Sequence, residues 1–188
     1  NRHEKDQNLD QEVIESFGRE WAAFNYLESD TDEALDLQFS AYTSIINLSE
    51  FNHKTSTAAD FGAGSGRWTS RLLPYFTKIY ALEPSHGATK VLRDKFTTES
   101  RVEILQETVG VNSIADESLD LAVSLGVLHH IPDTERALKD IAKKVKLGGT
   151  LLCYLYYKLD DKPLLYRTLF RISDAFRLVV SRMPYCAR

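Results

Sequence analysis

The spacing of apolar residues along the 188-residue chain changes near residue 55. Before that point Val13, Phe17, Trp21 and Phe24 recur at helical spacing. Leu35, Leu37, Phe39, Tyr42, Ile45, Ile46 and Leu48 predict a second helix ending near Asn47 to Ser49. Both read as amphipathic helices that pack on the main body. Beyond Lys54, short apolar runs alternate with helical patterns. Residues 57–61 predict a strand that runs into Gly62-Ala63-Gly64-Ser65-Gly66, and 67–75 a helix that stops near Pro74. Strand 78–82, helix 85–96 behind a Ser85 cap, and strand 102–105 follow. Then come an apolar strand at 119–124, a helix at 132–145 capped by Asp133, and a long buried strand at 149–157 after a Gly148-Gly149 turn.

Strands alternating with helices of this length imply an α/β fold with parallel pairing and right-handed crossovers. In such sheets ligands bind beyond the carboxyl ends of the strands, where the strand order reverses. The glycine run sits at that end of the first strand.

Composition narrows the picture. A chain 43% hydrophobic and 27% charged fits one ordinary globular domain with a sizeable core. Its longest apolar run, 151–157, falls far short of the ~20 residues that cross a bilayer, so no integral membrane contact is expected. Cys153 and Cys186 lack CxxC or His spacing; neither a disulfide framework nor a metal site is expected, and a cytoplasmic location is the default. A net charge of −4 argues against nucleic acid as the main partner. The charge is uneven. Residues 1–60 hold 4 Lys/Arg against 13 Asp/Glu, whereas Arg167, Arg171, Arg177, Arg182 and Arg188 near the end face only Asp174. The stretch 163–182 reads as a basic amphipathic helix that packs on the sheet with a solvated basic face, with contact to an anionic lipid or acidic substrate as the other reading.

The loop Asp60-Phe61-Gly62-Ala63-Gly64-Ser65-Gly66 has the form that lets backbone approach a ligand closely. Glycine turns also serve tight strand-to-helix packing, so the loop alone is a moderate signal. Glu83 lies 21 positions beyond Gly62 at the end of the next strand, where an acid accepts both hydroxyls of a ribose. That spacing suits any nucleoside-bearing cofactor. A nicotinamide fingerprint, however, would want glycine at Arg67, and Asp60 would repel a pyrophosphate. A cofactor with a cationic centre, an amino group and no phosphate fits better.

The ordered set Asp60-x-Gly62-x-Gly64-x-Gly66, Glu83, Ser118-Leu119-Asp120-Leu121-Ala122-Val123-Ser124, Val127-Leu128-His129-His130-Ile131-Pro132-Asp133 and Leu147-Gly148-Gly149-Thr150-Leu151 resembles the class I S-adenosylmethionine-dependent methyltransferases, in their small-molecule branch. The likeness covers about residues 55–157; Ser16-Phe17-Gly18-Arg19-Glu20-Trp21 adds a shorter match to an N-terminal helix of some members. It implies a Rossmann-like doubly wound, mostly parallel sheet of order 3-2-1-4-5 under an N-terminal helical cover, with S-adenosylmethionine as cofactor. Carried over position by position, Gly62, Ala63, Gly64 and Gly66 would line the methionine part with Asp60 nearby, and Glu83 would bind the ribose. Pro84 and Ser85 would flank the adenine. Glu107, beside Thr108, stands where the family often has an Asp that accepts from the adenine amino group, and is one methylene longer. Ser124 and Leu125 would offer carbonyls to the methionine ammonium.

Methyl transfer is an in-line displacement, so positioning supplies much of the catalysis, and a base is needed only for a protonated acceptor. His129 and His130 are the candidate bases, though either would serve equally as a helix cap or a pocket wall. His53, Tyr26 and Tyr42 are weaker candidates, and Phe17, Arg19 and Trp21 would form a lid or simply pack. The expected division is a cover at 1–54 and a cofactor-binding core at 55–188. The leading expectation is methyl transfer to a small-molecule acceptor; a cofactor-binding protein without catalysis and a nicotinamide oxidoreductase stay open. The family sheet closes with a sixth and seventh strand as a hairpin, whereas the residues after Tyr157 read as helix, so the closing hairpin is expected to be absent or to lie outside this chain.

Overall fold

In a computed structural model the described residues are 8, 10–23, 32–156, 163–166, 168–170 and 173. They fall into two compact units, Asn1–Leu155 and Tyr156–Arg188. In the first, α1 (Gln11–Ala23) and α2 (Asp32–Thr43) lead through a short 3-10 turn (Leu48–Glu50) into β1 (Thr57–Phe61). Then follow α3 (Arg67–Leu72), β2 (Lys78–Leu82), α4 (His86–Lys95), β3 (Val102–Leu105) and β4 (Leu119–Leu125). A second 3-10 turn (Leu128–His130) precedes α5 (Thr134–Lys144) and β5 (Val145–Tyr154). All neighbouring strands pair in parallel, in the order β3-β2-β1-β4-β5, which is the expected doubly wound sheet. In the second unit the described residues are helical over 164–166 and 168–170 and at 173; most of the rest of the expected helix at 163–182, its arginines included, lies outside the described residues.

β1 is central and covered on both faces, so alternate residues serve different cores. Ala58 joins Leu35, Phe39, Trp68, Leu72 and Val123 beneath α2 and α3. Ala59 and Phe61 join Ala122, Leu128, Ala137 and Ile141 beneath α5. A strand buried on both sides must be apolar throughout. Asp60, 1% exposed, is the one charged residue in β1.

Trp68 stacks on Phe39 at 6.1 Å between ring centres, and Arg71 donates to Asp32 at 2.7 Å and to Asp36 at 2.9 Å, which fastens α3 to α2. The caps follow the expected chemistry. Ser85 Oγ accepts from the Ala88 amide at 3.4 Å, and Asp133 Oδ1 from the Arg136 amide at 2.9 Å.

Three expected boundaries differ. α2 ends at Thr43 rather than near Asn47 to Ser49, because Asn47 caps the next 3-10 turn instead of closing the helix; Leu37 and Ile45 are correspondingly exposed. α3 ends at Leu72 rather than at residue 75, in a turn that the Tyr75 amide closes on the Leu72 carbonyl. The last strand begins at Val145 directly after α5 and ends at Tyr154, and it is not the buried strand expected at 149–157: only Leu152 is buried. The Gly148-Gly149 pair forms an irregularity inside that strand, with Leu119 opposite Val145 but Leu121 opposite Thr150.

Gly66 caps α3 in the left-handed region at φ +74°, and a Cβ there would stand 2.6 Å from Phe96 Cε2 and 2.8 Å from Leu92 Cδ2. Strain and overpacking each add ~1–3 kcal/mol. Gly66→Ala is therefore expected to lower unfolding free energy by about 2–4 kcal/mol in urea titration; a loss below about 0.5 kcal/mol would contradict the packing described.

Candidate functional site

The carboxyl end of β1 opens into the glycine loop, and β2 holds it there. The amides of Gly62 and Ala63 donate to the Leu82 carbonyl at 2.8 and 3.0 Å. Gly62 has φ +83°, and a Cβ on it would lie 2.5 Å from Val127 Cγ2, so the loop after β4 rests directly on it. No larger residue fits.

Glu83, which closes β2, is 7% exposed and reaches back to the loop. Its Oε2 accepts from the Gly64 amide at 3.0 Å and its Oε1 from the Ser85 amide at 2.9 Å. Burial raises its pKa above the ordinary carboxylate range; the bonds from Ser85 and Gly64 oppose this, and the charge of Asp60 reinforces it. Each carboxylate oxygen retains a second lone pair, enough to accept two hydroxyls.

Asp60 projects to the α3 side, where Thr69 Oγ1 donates to its Oδ2 at 2.7 Å. Burial pushes its carboxyl up to about 6, while Thr69, Lys95 and Arg67 pull the other way. Two desolvated carboxylates thus flank a loop with positive φ at Gly62, Gly64 and Gly66. This set fits a ligand bearing a cationic centre and vicinal hydroxyls.

The other expected residues take defined places. Ala63 is buried within the loop and Pro84 is half-buried behind Glu83. Ser124, fully buried, donates to the Phe61 carbonyl at 3.2 Å; Leu125 is half-buried at the end of β4. Glu107 folds back on its own loop, where its Oε2 accepts from the Ser113 amide at 2.6 Å and hydroxyl at 3.0 Å. Thr108 Oγ1 accepts from the Val111 amide at 3.1 Å. One carboxylate oxygen of Glu107 is thereby engaged in shaping the loop.

His129 and His130 occupy the 3-10 turn after β4, their rings 4.1 Å apart. Burial lowers the pKa of both, and the neighbouring ring adds to this at His129, so both are neutral at neutral pH. Phe17 of α1 meets His130 edge-on at 4.9 Å. Tyr42 lies between Trp68 at 5.5 Å and Tyr154 at 4.9 Å. His53 is exposed four residues before β1, at the opposite end of that strand from the glycine loop. Tyr26 and the side chains of Arg19 and Trp21 lie outside the described residues.

Several residues at the site carry no motif. A Cβ on Gly18 of α1 would overlap Ser85 Oγ, so α1 sits directly on the α4 cap. Asn8 Nδ2 donates to the Asp133 carbonyl and Asn8 Oδ1 accepts from the Asp133 amide, both at 2.7 Å. Lys95, from the last turn of α4, donates to the Gly66 carbonyl at 2.9 Å. Gly18 is the exception, standing within the Ser16-Phe17-Gly18-Arg19-Glu20-Trp21 match; the others had no sequence signal.

A methyltransferase-domain family model matches residues 59–153, and the chain belongs to that family. It has the class I, Rossmann-like architecture of the S-adenosylmethionine-dependent members. An uncharacterized methyltransferase of Geobacillus sp. strain WCH70 is 28% identical over 162 residues, 86% of this chain and 70% of that protein. Among solved structures, the N-methyltransferase NodS of Bradyrhizobium japonicum, in complex with S-adenosylhomocysteine, has a TM-score of 0.61 at 17% identity, over 73% of this chain and 70% of that one. A methyltransferase of Haloferax volcanii, solved with the Trm112 activator, has a TM-score of 0.58 at 22% identity; the likeness covers 74% of this chain and 59% of that one, so the chain spans about three fifths of that length.

The raised Asp60 pKa has a sign for stability. Its contribution is fully present below pH 3.8 and is lost as pH rises through about 6, leaving at neutral pH a cost on the order of 3 kcal/mol. Asp60→Asn, which keeps an acceptor for Thr69, is expected to stabilise the fold by about 2 kcal/mol at pH 7, with the gain vanishing near pH 4. Urea titrations at both pH values check this, and a variant less stable than wild type at pH 7 would refute it.

Proposed function

We propose that this chain binds S-adenosylmethionine at the glycine loop and transfers a methyl group to a small-molecule acceptor. The observation that carries the reading is the pair of buried carboxylates, Asp60 and Glu83, on either side of a positive-φ glycine loop at the β1/β4 switch point. Glu83 holds the ribose hydroxyls with the lone pairs left by Gly64 and Ser85, and Asp60 supplies negative charge near the cationic end. The same charges oppose a pyrophosphate. Gly62, Ala63, Gly64 and Gly66 form the loop wall, Pro84 and the Glu107-Thr108 segment the adenine side, and Ser124 and Leu125 the end of β4. S-adenosylhomocysteine on the structural neighbour NodS supports the choice of cofactor.

The bound cofactor supplies an activated methyl on a sulfonium. The chain supplies orientation, exclusion of water and, for a protonated acceptor, a base. His129 and His130 fill that last role, since burial keeps both ready to accept a proton at neutral pH. Residues 1–54 serve as the cover over a core at 55–188. Phe17 on His130, Gly18 on Ser85 and Asn8 on Asp133 support this division.

Calorimetry with S-adenosylmethionine, S-adenosylhomocysteine and NAD tests the cofactor. The first two are expected to bind and NAD not; Glu83→Ala, which removes charge-assisted bonds, is expected to weaken binding about 10- to 100-fold. Absence of binding by both, or an unchanged Glu83→Ala affinity, would sink the reading. For turnover of an acceptor that must lose a proton, the His pKa values lie below the ordinary 6.5, so activity is complete above that pH and declines on acidification. His129→Gln and His130→Gln are expected to retain S-adenosylhomocysteine affinity, and at least one to lose turnover; two fully active variants would remove the base.

A further inference from the structure

The glycine loop is gripped from two sides by side chains of opposite charge. On its amide side Glu83 accepts from the Gly64 N–H. On its carbonyl side the Lys95 ammonium donates to the Gly66 carbonyl at 2.9 Å and reaches the Ser65 carbonyl at 3.4 Å. Three peptide units of the loop, 63–64, 65–66 and 66–67, are thus held at opposite edges, and their orientation decides which backbone groups of the loop face a ligand.

From this geometry we infer that Lys95 is a positioning residue for the cofactor loop: its ammonium fixes the Ser65 and Gly66 carbonyls so that the loop is preorganised for binding. The inference rests on the cofactor reading given above. Lys95 lies in the last turn of α4, and Gly66 caps α3, so one ammonium joins the carboxyl end of α4 to the amino end of the preceding helix. A simple helix-terminal lysine would satisfy its own helix carbonyls in water. This one is half-buried. Desolvation lowers its pKa to about 8, and Arg71 and Arg67 act in the same direction while Asp32 and Asp60 oppose them. Keeping a charge there is costly, and its direct polar partners are the two loop carbonyls. Its position is also set by packing. Phe96, the next residue, fills the space where a Gly66 side chain would stand, and the ammonium lies 5.3 Å from the Phe96 ring centre.

The loop carbonyl that Lys95 holds is shared with α3. The Gly66 oxygen also accepts from the Ser70 amide at 3.1 Å and the Ser70 hydroxyl at 2.9 Å. Losing the ammonium therefore releases the Ser65 carbonyl while the Gly66 carbonyl keeps its Ser70 bonds, so the helix start survives and the effect falls on ligand affinity rather than on the fold.

The test compares Lys95→Met, Lys95→Gln and Lys95→Arg by calorimetry with S-adenosylhomocysteine and by hydrogen exchange of the ligand-free protein. The two neutral variants are expected to bind about tenfold more weakly and to exchange the Gly64 and Gly66 amides faster, with Ile141 to Leu152 unchanged. Lys95→Arg, which keeps the charge and the donors, is expected to restore both readouts. Wild-type affinity in the neutral variants, faster exchange throughout the chain, or failure of arginine to rescue would each overturn the assignment. A wild-type protein that binds no S-adenosylhomocysteine would overturn the cofactor reading instead, and the exchange of the loop then decides the role of Lys95.

Discussion

The carboxylate of Glu83 is the interaction on which the site depends. It closes β2, and through its two oxygens it accepts from Gly64 in the loop after β1 and from Ser85 at the cap of α4. The loop after β1 and the start of α4 thus meet at one buried group. Because Ser85 is also the surface against which Gly18 of α1 rests, the same contact sets the height of the N-terminal helix. Replacing the acid by an apolar group would leave two buried amides unsatisfied, each a loss of ~1–3 kcal/mol. The residue that holds the loop is therefore also the one proposed to hold the ribose.

That sharing has an energetic side. Small domains are stable by only ~5–15 kcal/mol, and Asp60 and Glu83 are both buried with raised pKa values. Asp60 stands in the centre of the sheet, where Ala58, Ala59 and Phe61 otherwise satisfy the demand for apolar residues on both faces. A sequence optimised for folding alone would not place a charge there. Buried ionised groups whose neutral forms the fold prefers mark a site kept for a ligand, and here both lie within one turn of the glycine loop.

Much of this was legible from the chain. β1 and β2 fall at the expected residues because parallel strands in the middle of a sheet read as largely apolar runs ended by Gly or Glu-Pro, and β3, an edge strand with Glu103 exposed, is marked by its three apolar residues. Ser85 and Asp133 were legible as caps because a helix start needs a side-chain acceptor. The errors have local causes. Asn47 serves as readily to begin a turn as to end a helix. Gly148-Gly149 has the composition of a hairpin turn but sits inside a strand, where tertiary pairing with β4 overrides the local preference. Burial of β5 could not be judged from its apolar run, since an edge strand and a central one share that pattern. At the site, the glycines and acids were visible because chemistry restricts their identity. Lys95, Thr69 and Asn8 were not: each is ordinary at its position until the fold brings Lys95 to the loop, Thr69 to Asp60 and Asn8 to Asp133, and Val127, though it stands in the motif with His129 and His130, gives no sign in the sequence of its contact with Gly62.

The contacts also connect regions usually considered apart. Val127, which covers Gly62, is the residue from which the turn carrying His129 and His130 begins, and the His130 amide donates to the Val127 carbonyl at 2.9 Å. His130 in turn bears Phe17 of α1, and Asn8 grips Asp133 three residues further on. A displacement of Val127 from Gly62 cannot leave the histidines in place, because only one residue separates Val127 from His129. Nor can the histidines move without altering the seat of α1. Space at the glycine loop, placement of the two rings and closure by the N-terminal helix are thus three readings of one set of contacts. The chain orders the loop through Glu83 and Lys95 and through Val127 against Gly62, while α1 rests on Ser85 and His130 beside it. A ligand that enters between them encounters backbone already oriented, which is where a fold of marginal stability gains affinity without new contacts.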